Sequence, residues 1–193
     1  LDDAPAFSRI IDEATARAGF THTEYAQWAA FFAQHGHYDQ ASSMLDRGID
    51  KSSGNEANVT LEVERALLAL RHGNLAQTAQ ELDSATPRVT AGTALRRRLN
   101  AARLQLAQTY LVTDPSPDAE QNAQRLGHAV RQEDPGNPML QVSDGLLLMR
   151  KDTPELERAQ TLFESAAAAD STRLGAQWGL ANVALARRDY PRA

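Results

Sequence analysis

The sequence predicts an all-α protein built from about five antiparallel pairs of helices. Dipeptides typical of turns recur at intervals of 37, 41, 37 and 37 residues, which is the signature of an internal repeat. On both sides of each dipeptide, apolar residues recur every three or four positions, the spacing of one helix face. The sequence shows no sustained alternation of apolar and polar residues, so it predicts no strand. The five dipeptides are Gly36-His37, Gly73-Asn74, Asp114-Pro115, Lys151-Asp152 and Arg188-Asp189.

The first helix pair is predicted at residues 22–55. Its turn contains Gly36, since glycine commonly follows the last residue of a helix. Small residues recur among the bulky ones on each helix face, and two helices approach closely where small side chains meet. The residues that define the two faces are Tyr25, Trp28, Ala29 and Phe32 before the turn, then Tyr38, Ala41, Leu45, Gly48 and Ile49 after it.

The other pairs are predicted at residues 56–87, 92–135, 138–171 and 173–193. A single helix is predicted at 4–18, where it resembles the second helix of an earlier pair. The last pair stops at Ala193, shortly after its second helix begins, and the chain starts at Leu1 without methionine. We therefore expect the chain to be part of a longer array, with possible end-to-end self-association through its last helices.

Residues typical of helix ends separate the predicted pairs. Thr153 is expected to cap a helix that starts at Pro154, because proline is favoured at the first helical position. The segments predicted to stop helices are 52–55, Thr86-Pro87, 134–138 and Asp170-Ser171.

Residues 22–55 resemble one 34-residue tetratricopeptide repeat. The matching residues are Tyr25, Trp28, Ala29 and Phe32 in its first helix, Gly36 and Tyr38 in its turn, and Ala41, Leu45 and Gly48 in its second helix. The resemblance extends over almost the whole chain and is weakest in 92–135, where Asp114-Pro115 replaces the turn glycine. It implies a right-handed α-solenoid in which the first helix of each pair lines a concave surface. A HEAT-like helical repeat is the alternative, because the interval exceeds 34 residues.

The resemblance implies a protein–protein interaction scaffold whose concave surface binds an extended or helical segment of another protein. Ala26 and Ala30 occupy positions where a carboxylate clamp needs lysine, arginine or asparagine, so a reader of terminal carboxylates is not expected. The residues predicted to line the surface are Ala26, Ala30, Val63, Leu67, Leu104, Gln108, Trp178 and Asn182.

The sequence predicts no catalytic residue, cofactor or metal site. It has no glycine-rich phosphate loop, nucleophile elbow or HExxH motif. A metal site needs three or four convergent ligands, and His35 and His37 have no partner at a recognised spacing. The His–Gly sequence recurs at His72, which favours a role in a turn. The two tryptophans, Trp28 and Trp178, are expected in the core.

Charge and hydropathy exclude two classes of partner. The net charge of −5 predicts no attraction to nucleic acid, and apolar runs such as Gly145–Met149 are too short to span a membrane. The basic cluster Arg96–Arg98, with Arg103, is interpreted either as an anion site or as a solvated helix face.

The cellular setting is predicted by analogy. Tetratricopeptide repeats occur in bacterial assembly and secretion systems, including the periplasmic parts of outer-membrane exopolysaccharide exporters such as the one that serves cellulose synthase. The lack of cysteine and the Ala/Arg-rich composition are compatible with a periplasmic scaffold. Two alternatives stay open: a cytosolic adaptor or regulator, and a helical domain of a larger enzyme whose active site lies outside this chain.

Overall fold

The protein is all-α in the part that the computed structural model describes, namely residues 19–169 and 174–187 together with Arg9 and Glu13. This part contains nine α-helices and no strand. The helices are α1 (His22–Gln34), α2 (Tyr38–Lys51), α3 (Asn55–Arg71), α4 (Leu75–Ala85), α5 (Ala94–Thr113), α6 (Pro117–Glu133), α7 (Pro138–Arg150), α8 (Leu156–Ala169) and α9 (Leu174–Ala186), with a 3₁₀ turn at Thr86–Arg88. The helix predicted at 4–18, apart from Arg9 and Glu13, lies outside the described residues, as do Asp170-Ser171 and Arg188-Asp189.

The chain divides into two compact units, residues 1–102 and 103–193, and the division falls within α5. In the first unit, α1 packs against α2, α2 against α3, and α3 against α4, while α1 also contacts α3. In the second unit, α6 packs against α7, α7 against α8, and α8 against α9, while α7 also contacts α9. Each unit is therefore held mainly by helices that are neighbours in sequence. One continuous array over 1–193 stays a prediction.

The two glycine turns are confirmed. Gly36 and Gly73 have φ values of +79° and +81°, in the left-handed region that glycine adopts without strain. In the first turn, the N–H of His37 donates to Phe32 O (2.9 Å) and that of Gly36 to Ala33 O (3.1 Å). This pair of hydrogen bonds is a Schellman motif, which satisfies the last carbonyls of α1. The corresponding bonds recur after α3, so His35 and His72 are helix-end residues.

The turn between α5 and α6 has no glycine and is held by Arg150 from the end of α7. Arg150 Nη1 donates to Leu111 O (3.0 Å) and Asp114 O (2.7 Å), and Nη2 donates to Ser116 O (3.4 Å). Hydrogen bonds from Ser116, with a smaller contribution from the charge of Arg150, lower the pKa of Asp114 from its ordinary value. The side chain of Arg150 thus donates to backbone carbonyls at the end of α5 and in the turn. In the glycine turns, backbone N–H groups within the turn itself donate to the corresponding carbonyls.

The helix after Lys151-Asp152 begins two residues later than predicted. The expected cap was Thr153, with Pro154 at the first helical position, but α8 begins at Leu156. The N–H of Glu155 donates to Leu148 O (3.2 Å), and the first helical bond runs from Ala159 N to Glu155 O (2.9 Å). The bond from Glu155 N to Leu148 O holds the backbone of Glu155 against the end of α7 and outside α8. Glu155 therefore serves as the N-cap residue of α8.

Close helix contacts in both units depend on glycine. A Cβ at Gly48 of α2 would lie 2.9 Å from Tyr25 Cβ and 2.8 Å from Leu61 Cδ1. In the second unit, the buried ring of Phe163 on α8 lies against Gly145 of α7 and Gly179 of α9. A Cβ at Gly145 would lie 2.7 Å, and one at Gly179 2.5 Å, from the Cζ atom of that ring. Ala41, one of the predicted face residues of α2, and Ala159 of α8 are also fully buried.

We expect Gly179→Ala and Gly127→Ala to change stability in opposite directions. Both glycines are buried within helices. Alanine at 179 overlaps the Phe163 ring and should lower the free energy of unfolding by about 1–3 kcal/mol. A Cβ at 127 would meet only Leu140 Cδ2, at 4.0 Å. Alanine there should raise the free energy by about 0.5–1 kcal/mol through helix propensity. Urea unfolding of both variants measures this, and shifts of the same sign would contradict the packing at Phe163.

We expect Arg150→Met to lower the free energy of unfolding by about 2 kcal/mol or more, because it leaves three backbone carbonyls without their charged donor. Arg158→Met is the matched control. Arg158 pairs with Glu155 but its side chain is 72% exposed, so its loss should cost less than about 1 kcal/mol. The measurement is the urea midpoint at unchanged slope. Equal costs for the two variants would show that the Arg150 contacts do not stabilise the turn.

Candidate functional site

In the first unit, three of the four residues predicted to line the partner surface are at least partly exposed. Ala30 is exposed, and Ala26 and Leu67 are partly exposed. The prediction that Val63 lines this surface is wrong, because Val63 has no exposed surface and packs with Val59, Ala85 and Leu99. α3 buries residues around most of its circumference, so the apolar pattern alone did not distinguish its outer face from its core face.

In the second unit, the prediction that Leu104 lines the partner surface is also wrong. Leu104 is fully buried with Val130 and Leu140, so it cannot contact a partner. Gln108 is partly exposed, but its amide donates to Met139 O (3.2 Å) and to Ser143 Oγ (3.4 Å), which joins α5 to α7.

The remaining two predicted residues lie on α9. Trp178 is 46% exposed, which corrects the expectation of a core position. Asn182 is partly exposed, and its amide donates to Trp178 O (2.7 Å) within the same helix. The other tryptophan, Trp28, packs against the core cluster of the first unit. The partner surface as a whole stays a prediction.

A continuous apolar face lies on the outer side of α9. Leu174, Trp178 and Leu185 are 79%, 46% and 49% exposed, and they are three of the four large apolar residues most exposed in the described part of the chain. Their spacing places them on one side of the helix. α9 contains no charged residue, so no charge interrupts this side. We call these three residues the α9 apolar face.

The residues on the opposite side of α9 pack into the core of the second unit and so fix the rotation of the helix. Ala176, Gly179 and Val183 are buried, and Gly179 lies against the Phe163 ring. The α9 apolar face is therefore turned away from the core of the second unit. Leu174 and Leu185 were absent from the sequence-based surface, although the lack of charge over residues 174–186 was a signal that could have identified them.

The basic cluster Arg96–Arg98 does not form a single site. Arg96 Nη1 donates to Thr86 O (2.6 Å) and Val89 O (3.2 Å), and Arg97 Nη1 donates to Gly92 O (3.0 Å). Arg98 pairs with Glu64 of α3. Because three successive helical residues point in different directions, each guanidinium binds a different group. The interpretation as a convergent anion site is therefore wrong.

The histidines at the turns contact aromatic rings. The ring of His35 lies 4.3 Å from that of Phe31, and its Nδ1 is 2.8 Å from Phe31 O. His72 stacks on Tyr38, with ring centres 4.9 Å apart. Over residues 19–169 and 174–187, Arg9 and Glu13, no group of three or more histidine, aspartate or glutamate residues is arranged to hold a metal ion.

No protein-family model, curated protein sequence or solved structure matches the chain. Within the ranges that the structure covers, every helix is too short or too polar to cross a lipid bilayer.

Proposed function

We propose that this chain is a non-catalytic scaffold that binds another protein, with the α9 apolar face as a contact surface. The observation that carries the proposal is the exposure of Leu174, Trp178 and Leu185 on one side of a helix without charge. Contiguous exposed apolar surface is typical of interaction sites in folded proteins. Tryptophan is also enriched among the residues that dominate binding energies at interfaces.

The chemistry of this face identifies the kind of partner. The matching surface is the apolar side of an amphipathic helix, or an extended segment with apolar side chains at alternate positions. The binding energy would come from burying apolar area, at about 25 cal/mol per Å². Binding should therefore depend weakly on salt.

We propose that the fold is a right-handed solenoid of the tetratricopeptide type. Several features support this proposal: helices linked by short turns, Schellman turns after α1 and α3, and small residues at the close helix contacts. Contacts between alternate helices, α1 with α3 and α7 with α9, are also typical of stacked pairs.

The setting we propose is the bacterial periplasm, within an exopolysaccharide or cellulose export assembly. This part of the proposal rests on the sequence resemblance and on a chain without cysteine. Fractionation of cells that produce the full-length protein tests it, since the protein should be recovered with periplasmic markers. Recovery with cytosolic markers would favour the adaptor alternative.

We expect a partner to be crosslinked through position 178. The photoreactive residue p-benzoylphenylalanine replaces Trp178 in the producing cells, and irradiation should give a product that contains a specific second protein. The same residue at Arg158, which is exposed on α8, is the control and should not give this product.

Binding of the identified partner to the purified chain is then measured by titration calorimetry. Leu174→Asp combined with Leu185→Asp should weaken it by about tenfold or more, which corresponds to about 1.4 kcal/mol. Unchanged binding by this variant would overturn the assignment of the α9 apolar face. A product at position 178 that contains only a second copy of this chain would replace the proposed partner with self-association.

A further inference from the structure

The α9 apolar face has the spacing of a coiled-coil seam. Leu174, Trp178, Ala181 and Leu185 follow one another at intervals of four, three and four residues. This alternation keeps the residues on one narrow stripe of a helix, and it is the repeat by which two helices pack side by side. Ala181 is partly exposed, so it continues the α9 apolar face between Trp178 and Leu185. At 1.5 Å per residue the stripe is about 16 Å long.

The order of large and small residues fits a second copy of the same helix in the antiparallel direction. Two antiparallel α9 helices can be paired so that Leu174 of one copy lies opposite Leu185 of the other. In that register Trp178 lies opposite Ala181, because both pairs are centred between residues 179 and 180. The arrangement is two-fold symmetric, so each contact is made twice. The largest side chain of the stripe thus meets the smallest, which is the complementarity that close helix packing requires.

The parallel direction lacks this complementarity. Each residue would then lie opposite its own copy, so two Trp178 rings would crowd one level of the contact. Ala181 would face Ala181 at the next level and leave a gap there, and both crowding and gaps are unfavourable in packed interiors. The sequence of the stripe therefore favours the antiparallel pairing.

The residues that flank the stripe carry no charge. They are Gly175, Gln177, Asn182 and Ala184, and α9 as a whole has no charged residue. Charged flanking residues select partners in such helix pairs, because unlike charges attract and like charges repel. A charged flank would therefore oppose a second copy, and a neutral flank admits one.

The charged residues nearest to the stripe lie beyond its two ends. Arg187 follows α9, and its Nη2 pairs with Glu157 Oε1 of α8 (3.1 Å). Arg173 precedes α9 and lies outside the described residues. The central contacts between Trp178 and Ala181 are therefore free of charge.

The exposed area sets the strength of the contact. Leu174, Trp178 and Leu185 are 79%, 46% and 49% exposed, so most of the apolar surface to be covered belongs to three side chains of each copy. One helix from each copy buries less than the roughly 1,200 Å² of a stable complex. The dimer should therefore be weak, with a dissociation constant between about 1 µM and 1 mM.

We propose that α9 of a second copy covers the α9 apolar face in the absence of a partner, through an antiparallel and two-fold symmetric contact. The inference rests on the proposed function, because the copy and the partner would occupy the same face. The copy must leave before the partner binds, so the dimer regulates the site. The apparent affinity for the partner should fall once the chain concentration exceeds the dissociation constant of the dimer.

Sedimentation velocity of the whole chain at about 10 µM and about 1 mM tests the association. The dimer fraction should rise with concentration. Ala181→Glu places a carboxylate opposite Trp178 and should raise the dissociation constant by about tenfold or more, because the charge would be buried without a partner. Ala186→Glu makes the same change at an exposed position outside the stripe and should alter the constant by less than about twofold. Circular dichroism should show unchanged helix content for both variants. A chain that is monomeric at about 1 mM would overturn the proposal, as would equal effects of the two variants.

Disulfide crosslinking tests the direction of the contact. The chain contains no cysteine, so Leu174→Cys and Leu185→Cys each introduce a single thiol. A mixture of the two variants at about 1 mM, oxidised with copper phenanthroline, should give mainly the product that joins 174 to 185. Either variant alone should give little product, because its two thiols would lie about 16 Å apart. Efficient crosslinking of Leu174→Cys to itself would overturn the antiparallel contact.

The outcomes separate this inference from the proposed function. If the chain stays monomeric while position 178 still crosslinks to another protein in cells, the self-contact fails and the proposed function stands. If the chain forms the antiparallel dimer while position 178 crosslinks only to a second copy in cells, the proposed partner fails and the self-contact stands.

Discussion

The second unit depends on the contact between the ring of Phe163 and the backbone of two glycines. Gly145 of α7 and Gly179 of α9 both lie against this fully buried ring, so three helices meet at one aromatic side chain. Any side chain at either glycine would overlap the ring, because packed interiors have no space to absorb it. The contact also fixes the rotation of α9. With Gly179 turned inward, Leu174, Trp178 and Leu185 must face outward.

Features set by local chemistry were predictable from the sequence. Gly36 and Gly73 end their helices because the left-handed conformation excludes most other residues, and both turns have the hydrogen bonds that such glycines make. The periodic apolar residues of 22–55 became the buried side of α1 and α2, including Tyr25, Phe32 and Leu45. These signals act within a few residues, so a single sequence contains them.

Features set by contacts distant in sequence were not predictable. Arg150 supports a turn about 35 residues away, and no local pattern distinguishes it from a solvated arginine. Val63 and Leu104 were placed on the partner surface from their register alone. α3 and α5 bury residues on more than one side, so an apolar residue on such a helix can be core or surface. The register placed Trp178 on the partner surface, whereas its bulk and hydropathy predicted a core position. Its 46% exposure contradicts only the core position.

α7 makes different contacts on its two sides. Gly145 of α7 packs against Phe163, whereas Ser143, Asp144 and Leu147 of the same helix line a groove beside α6. Coupling between two sites requires an element with two arrangements whose balance both ligands change. The fully buried ring of Phe163 lies against Gly145 and Gly179, and such close packing opposes a change of register between α7 and α9. A partner on the α9 apolar face should therefore bind without moving α7 relative to α6.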